Sequence, residues 1–227
     1  IDLARRQNGA QCFGLTVPLV TKSDGTKFGK TESGAVWLDA SKTSPYSFYQ
    51  FWMNTADADV YKFLKYFTFL SIEEIDKIEA HDATIQGRKT AQGILADEVT
   101  RLVHGEDALQ SAKRITEALF SGDITQLTEA ELVQLQQDGI PASEIELSQI
   151  AETPLTTLFT ECGLAKAGRE VKDALGRQAV LINNVAVGAD DNMKTAELFA
   201  ERNALFGCFF IVKLGKRKYH LFSLKRG

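Results

Sequence analysis

Apolar residues recur along this chain in more than one rhythm, and the changes of rhythm divide it. The run Phe13-Gly-Leu-Thr-Val-Pro-Leu-Val-Thr21 is almost continuously apolar and predicts a buried strand ending before Lys22. A polar, glycine-containing loop is expected over residues 22–33, and residues 35–38 form a second short apolar run. From residue 44 the spacing becomes helical. Ser44-Pro45 puts a capping hydroxyl before a proline at the first helical position, where the missing N–H costs nothing. The aromatic segment Phe48, Tyr49, Phe51, Trp52 follows, and then Val60, Phe63, Leu64 and Phe67 at i, i+3, i+4 and i+7. Ser71-Ile-Glu-Glu74 and Thr128-Glu-Ala-Glu131 both have capping-box spacing, and Gly139 with Pro141 closes the second helix. Between them lie the stripes Ile94, Leu95, Val99, Leu102, Val103 and Ala108, Ala112, Ile115, Leu119.

Residues 140–153 are polar and weakly patterned and read as a linker. Beyond them, two short helices are expected at 154–162 and 167–175. Two hairpins follow, one turning at Asn183-Asn184 and one, after a strand over 204–214, at the basic turn Gly215-Lys-Arg217.

Composition changes this picture little. The 227 residues are 44 % apolar and 25 % charged, as in an average soluble globular protein, which excludes disorder. No apolar run approaches the roughly 20 residues of a membrane span, so no membrane partner is expected. The opening Ile-Asp-Leu-Ala-Arg-Arg lacks a starting Met and any charged-then-apolar leader, so a piece of a longer protein is expected. Cys12, Cys162 and Cys208 have no disulfide or metal spacing; they predict no bound metal and suit a reducing, cytoplasmic setting. Charge changes it more. Residues 1–153 carry 14 Lys+Arg against 23 Asp+Glu, whereas residues 154–227 carry 12 against 7. A basic unit on an acidic body is a candidate for a polyanion partner, or simply a solvated basic face.

The heptad Gly25-Thr-Lys-Phe-Gly-Lys-Thr31 could carry chemistry. It fails as a phosphate-binding GxxxxGK[ST] loop: three residues, not four, separate its glycines, and no helix is patterned after it. Two lysines three apart on a mobile loop could instead fold over a triphosphate and stabilise the charge of departing pyrophosphate.

The stretch from Gly14 through that heptad to Gly34-Ala-Val-Trp-Leu-Asp39 resembles the KMSKS-loop region of bacterial tyrosyl-tRNA synthetases. Thr43-Ser-Pro-Tyr-Ser-Phe-Tyr-Gln-Phe-Trp-Met-Asn-Thr-Ala-Asp-Ala-Asp-Val60, Leu102-Val-His-Gly-Glu106 and Ala118-Leu-Phe-Ser-Gly122 are similar to the same family's helical domain. Leu158-Phe-Thr-Glu-Cys-Gly-Leu-Ala-Lys-Ala-Gly-Arg-Glu-Val-Lys-Asp-Ala-Leu175, continuing to Asn184, resembles its α-L RNA-binding tail.

The resemblance implies a multi-domain α/β and α+β chain. Residues 1–43 would end a Rossmann-like catalytic domain, 44–139 would be a helical anticodon-binding domain, and 154–227 an α-L domain after the linker 140–153. The implied enzyme is a class I synthetase that activates tyrosine with ATP and Mg2+ and transfers it to tRNA(Tyr), as a homodimer. Lys27 and Lys30 would be catalytic, with Lys30 and Thr31 touching ATP. Lys166, Arg169, Lys172, Arg177, Lys216, Arg217 and Lys218 would contact RNA phosphates. Phe28, Gly29 and Thr31 depart from KMSKS while both lysines stay; Ala167, Lys172 and Asn184 depart from the usual tail. The HIGH signature and tyrosine pocket are absent, so these residues alone are expected to be inactive.

Some alternatives stay open at this level. Asn54, Asp57 and Asp59 could cap a helix or accept hydrogen bonds from anticodon bases. The aromatic cluster could be core or a base-stacking platform. His81, His104 and His220 have no partner at triad or metal spacing, and His104 suits a helix C-terminus. Two rivals are a stand-alone RNA-binding protein with a vestigial loop, and an RNA pseudouridine synthase. The latter needs a catalytic Asp in a β-rich domain, whereas 44–139 is patterned as helix.

Overall fold

The structure is a computed structural model and describes residues 1–31, 34–87, 89–121 and 123–225, without the side chains of Lys30, Thr31 and Thr125. The chain divides into two compact units, residues 1–36 and 37–227. The fold is mixed helix and sheet.

In the first unit α1 (Asp2–Asn8) precedes two short ladders, and none of the residues of α1 is buried. The apolar run from Phe13 is not the expected buried strand. It has no regular structure, and Phe13, Leu15, Val17 and Leu19 are exposed. A strand needs a neighbour for its backbone and a layer for its side chains; among the described residues of this unit the end of the run at Val20 and Thr21 meets Lys27 and Phe28, and no layer covers its apolar side chains.

The second unit starts with α2 (Pro45–Met53), α3 (Asp57–Phe67), α4 (Ile72–Asp82), α5 (Ala91–His104) and α6 (Glu106–Ser121). Ser44 caps α2 by accepting from the Ser47 N–H, and its own N–H and hydroxyl donate to Asp138. Both capping boxes form, at Ser71 and at Thr128, the latter opening α7 (Glu129–Gln134). Most of the aromatic cluster is core: Phe48, Trp52 and Phe63 are buried and meet edge to face, whereas Tyr66 and Phe69 at its end are exposed. Of the stripe on α5, Leu95 and Val99 are buried but Leu102 is exposed, because Ala91 and Ala96 complete the inward face.

After α7 the helix widens into a π turn, Leu135–Gly139, where the Ile140 N–H reaches back to the Leu135 carbonyl. A Cβ at Gly139 would stand 2.8 Å from Leu135 Cδ2 and 3.0 Å from the Tyr46 ring. Gly139→Ala is therefore expected to cost about 1–3 kcal/mol by overpacking. A lower urea midpoint at unchanged slope is the check.

The segment read as a linker is a structural part of the tail. It supplies β3 (Ala142–Ile145), paired parallel to the last strand, and α8 (Leu147–Ile150), with Ile145 and Ile150 in the tail's core. The remaining elements are α9 (Leu155–Glu161), α10 (Gly168–Gly176), β4 (Val180–Ile182), β5 (Val185–Val187), α11 (Thr195–Leu198), β6 (Phe209–Leu214) and β7 (Lys218–Leu224). They form a five-stranded sheet of order β3-β7-β6-β4-β5. Asn183 and Asn184 both adopt positive φ, 48° and 67°, as a two-residue hairpin turn requires. The strand expected from residue 204 begins only at Phe209, because Phe206 and Gly207 take positive φ and turn the chain.

Alternation along β6 and β7 gives the sheet two buried faces. Phe210, Val212, Leu214 and Phe222 face α9 and α10. Phe209, Ile211 and Leu221 pack instead with Tyr46, Ile115, Leu132 and Leu135 of the helical part, and the Tyr219 hydroxyl donates to the Leu119 carbonyl. The basic tail and the acidic helices thus share a core. No helix among the described residues is long and apolar enough to cross a membrane.

Candidate functional site

The lysine heptad lies on two consecutive hairpins. In the first, the Lys22 N–H donates to the Thr26 carbonyl and the Phe28 N–H to the Val20 carbonyl, with Thr21 opposite Lys27. The loop Ser23-Asp-Gly25 ends on glycine at φ +82°, as a three-residue hairpin loop needs, and Asp24 accepts from the Thr26 N–H and hydroxyl. In the second, β1 (Lys30–Thr31) pairs antiparallel with β2 (Gly34–Ala35), Lys30 facing Ala35. Gly29 joins them at φ +83°, a backbone state that serine adopts only at a cost. The next described element after Thr31 is the strand β2, which does not fit the helix that a P-loop needs there. The Lys27 side chain is exposed and makes no ion pair among the described residues. The side chains of Lys30 and Thr31 lie outside the described residues.

In the tail, two clefts collect five of the seven basic candidates. One, of about 510 Å3, is lined by Glu170, Arg177, Lys216, Arg217 and Lys218. The other, of about 390 Å3, is lined by Lys166, Arg217, Lys218 and His220. The tight Gly215 turn, at φ +66°, projects Lys216 and Arg217 into solvent. Arg169 and Lys172 line neither cleft; they sit exposed on α10, whose inward face is Val171, Ala174 and Leu175. Glu170 was not foreseen. It accepts from Lys218 Nζ at 2.5 Å and from the Lys166 N–H at 3.1 Å, and the Lys218 bond above all holds its carboxyl below the usual range. Glu170 is the third residue of α10, a position from which a carboxylate can reach back to an amide ahead of the helix, and that position was the available signal. Lys218 is thus partly neutralised, leaving Lys166, Arg177, Lys216 and Arg217 as the more available cations.

Of the three residues left between capping and base recognition, Asn54 donates to the Gln50 carbonyl at the end of α2. Asp59 is buried and ion-paired with Lys62 at 2.9 Å. Asp57 is exposed; it accepts from Gln92 Nε2 at 2.6 Å and lies 3.4 Å from Lys89. His104 stacks edge-on against Phe48 at 4.8 Å, and burial pushes its pKa down. His81 is exposed at the end of α4. Among the described residues no three His, Cys, Asp or Glu are grouped to hold a metal.

Comparison with known proteins bears on both regions. The chain is 54 % identical over 225 residues to "Tyrosine--tRNA ligase" of Aliivibrio fischeri strain MJ11, covering 99 % of this chain and 51 % of that protein. It is 52 % identical over 232 residues to the protein of the same name from Neisseria meningitidis serogroup A, covering 99 % and 53 %. The chain therefore spans about half the length of the curated relatives it matches. A solved C-terminally truncated mitochondrial tyrosyl-tRNA synthetase from Aspergillus nidulans matches at 41 % identity and a TM-score of 0.36, over 38 % of this chain and 25 % of that one. The family model described as tRNA synthetases class I (W and Y) matches residues 1–121, over half of the chain. The chain belongs to that family, the class I tRNA synthetases of the tryptophan and tyrosine group.

Proposed function

We propose that this chain is part of a tyrosine–tRNA ligase, supplying its lysine loop and its tRNA-binding surfaces. The observation that carries the reading is the 54 % identity to a curated relative of that name over 99 % of the chain. The whole enzyme would join tyrosine to AMP from ATP, with Mg2+ entering on the nucleotide, and then pass tyrosine to tRNA(Tyr) as a homodimer. Residues 1–43 would end its catalytic domain, 44–139 would face the anticodon, and the tail from β3 onward would be the α-L domain.

Each basic group has a physical task in this reading. Lys27 and Lys30, on successive hairpins, would place two ammonium groups against the leaving pyrophosphate. Charge placed where charge develops lowers the barrier without touching tyrosine. The Thr31 hydroxyl would add an ATP contact. Lys166, Arg177, Lys216 and Arg217 would anchor phosphates along the two clefts, with Arg169 and Lys172 extending the surface over α10. Asp57 is the exposed carboxylate of the three, and it would have to share its bonds to Gln92 and Lys89 with a base; Asn54 and Asp59 also have partners within the fold.

Charge removal tests the RNA surface better than truncation. Cutting at residue 154 would strip the cover from Tyr46, Ile115, Leu132 and Leu135 and leave β3 without β7. The triple variant Lys166→Ala, Lys216→Ala, Arg217→Ala is expected to bind a tRNA(Tyr) transcript about tenfold or more weakly. Its log–log salt dependence should be shallower by about 2 to 3. Fluorescence anisotropy across a salt series measures both, and unchanged affinity would remove these residues from the interface.

A further inference from the structure

The smaller basic cleft has an unusual floor. His220 is 2 % exposed and lines it together with Lys166, Arg217 and Lys218. Its Nε2 lies 2.9 Å from the Ser143 hydroxyl of β3, and its ring packs 4.5 Å from that of Phe222. Its Nδ1 is buried and has no hydrogen-bond partner among the described residues. Either tautomer leaves that atom unmet: if Nε2–H donates to Ser143, Nδ1 is a bare acceptor, and if Ser143 donates, Nδ1–H lacks an acceptor. Leaving such a group unpaired in a protein interior is costly, so the position calls for an explanation.

Burial sets the state of the ring, and the charges around the cleft set what the cleft would bind. Lys218 is on the same face of β7, two residues away, and Arg217 is in the turn before it. Lys166 comes from the loop between α9 and α10, and the one carboxylate on α10 in this region, Glu170, is held by Lys218 and the Lys166 N–H. β3 presents Ser143 to the ring, with Glu144 at the following, exposed position, and β6 places uncharged Val212 opposite. Burial pushes the His220 pKa below its ordinary value, and the cleft that the ring lines also carries Lys166, Arg217 and Lys218. An anion seated between Lys166 and Arg217 would offset that positive charge and favour a protonated ring beside it.

We infer that this cleft is a phosphodiester subsite whose occupation is coupled to proton uptake by His220. The inference rests on the RNA reading of the tail and adds a titrating group to it. Linkage fixes the sign. Free, the imidazole is neutral at pH 7; beside a phosphodiester its pKa rises, so binding takes up a proton and affinity increases as pH falls through the neutral range.

The test is anisotropy with a tRNA(Tyr) transcript at about pH 6 and about pH 8 and fixed salt, on this chain and on His220→Gln. The original chain is expected to bind about three- to tenfold more tightly at the lower pH, and the variant to lose most of that ratio. Every other ionisable group is common to both proteins and cancels in the comparison. Should His220→Gln not fold, the imidazole can be titrated by NMR in the original chain, with and without transcript. An upward shift of its midpoint supports the coupling, and an unmoved midpoint overturns it. Equal pH ratios in chain and variant would overturn this inference alone; absence of transcript binding at both pH values would overturn the RNA reading as well.

Discussion

Asp82→Ala is expected to destabilise the helical part by about 3 kcal/mol, seen as a large drop in urea midpoint. Asp82 ends α4 and is 1 % exposed, yet it is not a stray buried charge. Its carboxylate accepts from the Thr90 N–H at 2.8 Å, the Thr90 hydroxyl at 2.7 Å, the Ala91 N–H at 3.0 Å and the Tyr61 hydroxyl at 3.1 Å. The first two amides open α5, whose own N-cap, Thr90, makes no side-chain capping bond. The end of one helix therefore caps the start of the next, and alanine would strand several donors away from water.

The same site predicts an acid limb. Burial alone would raise the Asp82 pKa, but the bonds from Thr90, Ala91 and Tyr61 outweigh it, and the net shift is downward from 3.8. A depressed carboxylate contributes stability that is present above its unfolded pKa and lost as pH falls through the folded one. Asp82→Asn should therefore flatten the stability profile below about pH 4, while the alanine variant is weakened at every pH. An unchanged acid profile in Asp82→Asn would mean that other groups, such as Glu131 with its Thr128 and Arg114 partners, dominate that limb.

Local chemistry was legible in the sequence, and long-range partnership was not. The boxes at Ser71 and Thr128 and the Asn183-Asn184 turn are decided within four residues, and the structure has all three. The strand β3 was read as linker because its parallel partner, β7, is in a distant part of the chain. Its pattern is also too short to announce a buried face, since only Ile145 of its four residues is buried. The opposite error befell the run from Phe13 to Thr21, where strand-like composition was taken as sufficient, yet its apolar side chains are exposed and its pairing is confined, among the described residues, to its end at Val20 and Thr21. The basic candidates were found by charge, but charge does not reveal that Glu170 occupies Lys218 or that His220 lies under the same cleft. Asp57 and Gln92 meet only because α3 and α5 pack together, which no local spacing encodes.

In the full-length tyrosine–tRNA ligase proposed above, Lys30→Ala is expected to slow tyrosine-dependent pyrophosphate exchange by about a hundredfold, with tyrosine affinity nearly unchanged. The backbone supports separate placement of the two lysines. Lys27 belongs to the first hairpin and Lys30 to the second, and the positive φ of Gly29 sets the angle between them. If both ammonium groups act on one leaving group, the double variant Lys27→Ala, Lys30→Ala should lose less than the product of the single losses. Gly29→Ser separates charge from geometry, because it keeps both lysines but forces a Cβ into a left-handed backbone. About 1–2 kcal/mol of strain is expected there, and exchange should fall without loss of either cation. Full exchange in Lys30→Ala would remove that side chain from the chemistry. Full exchange in Gly29→Ser would show that the joint between the hairpins does not set lysine position.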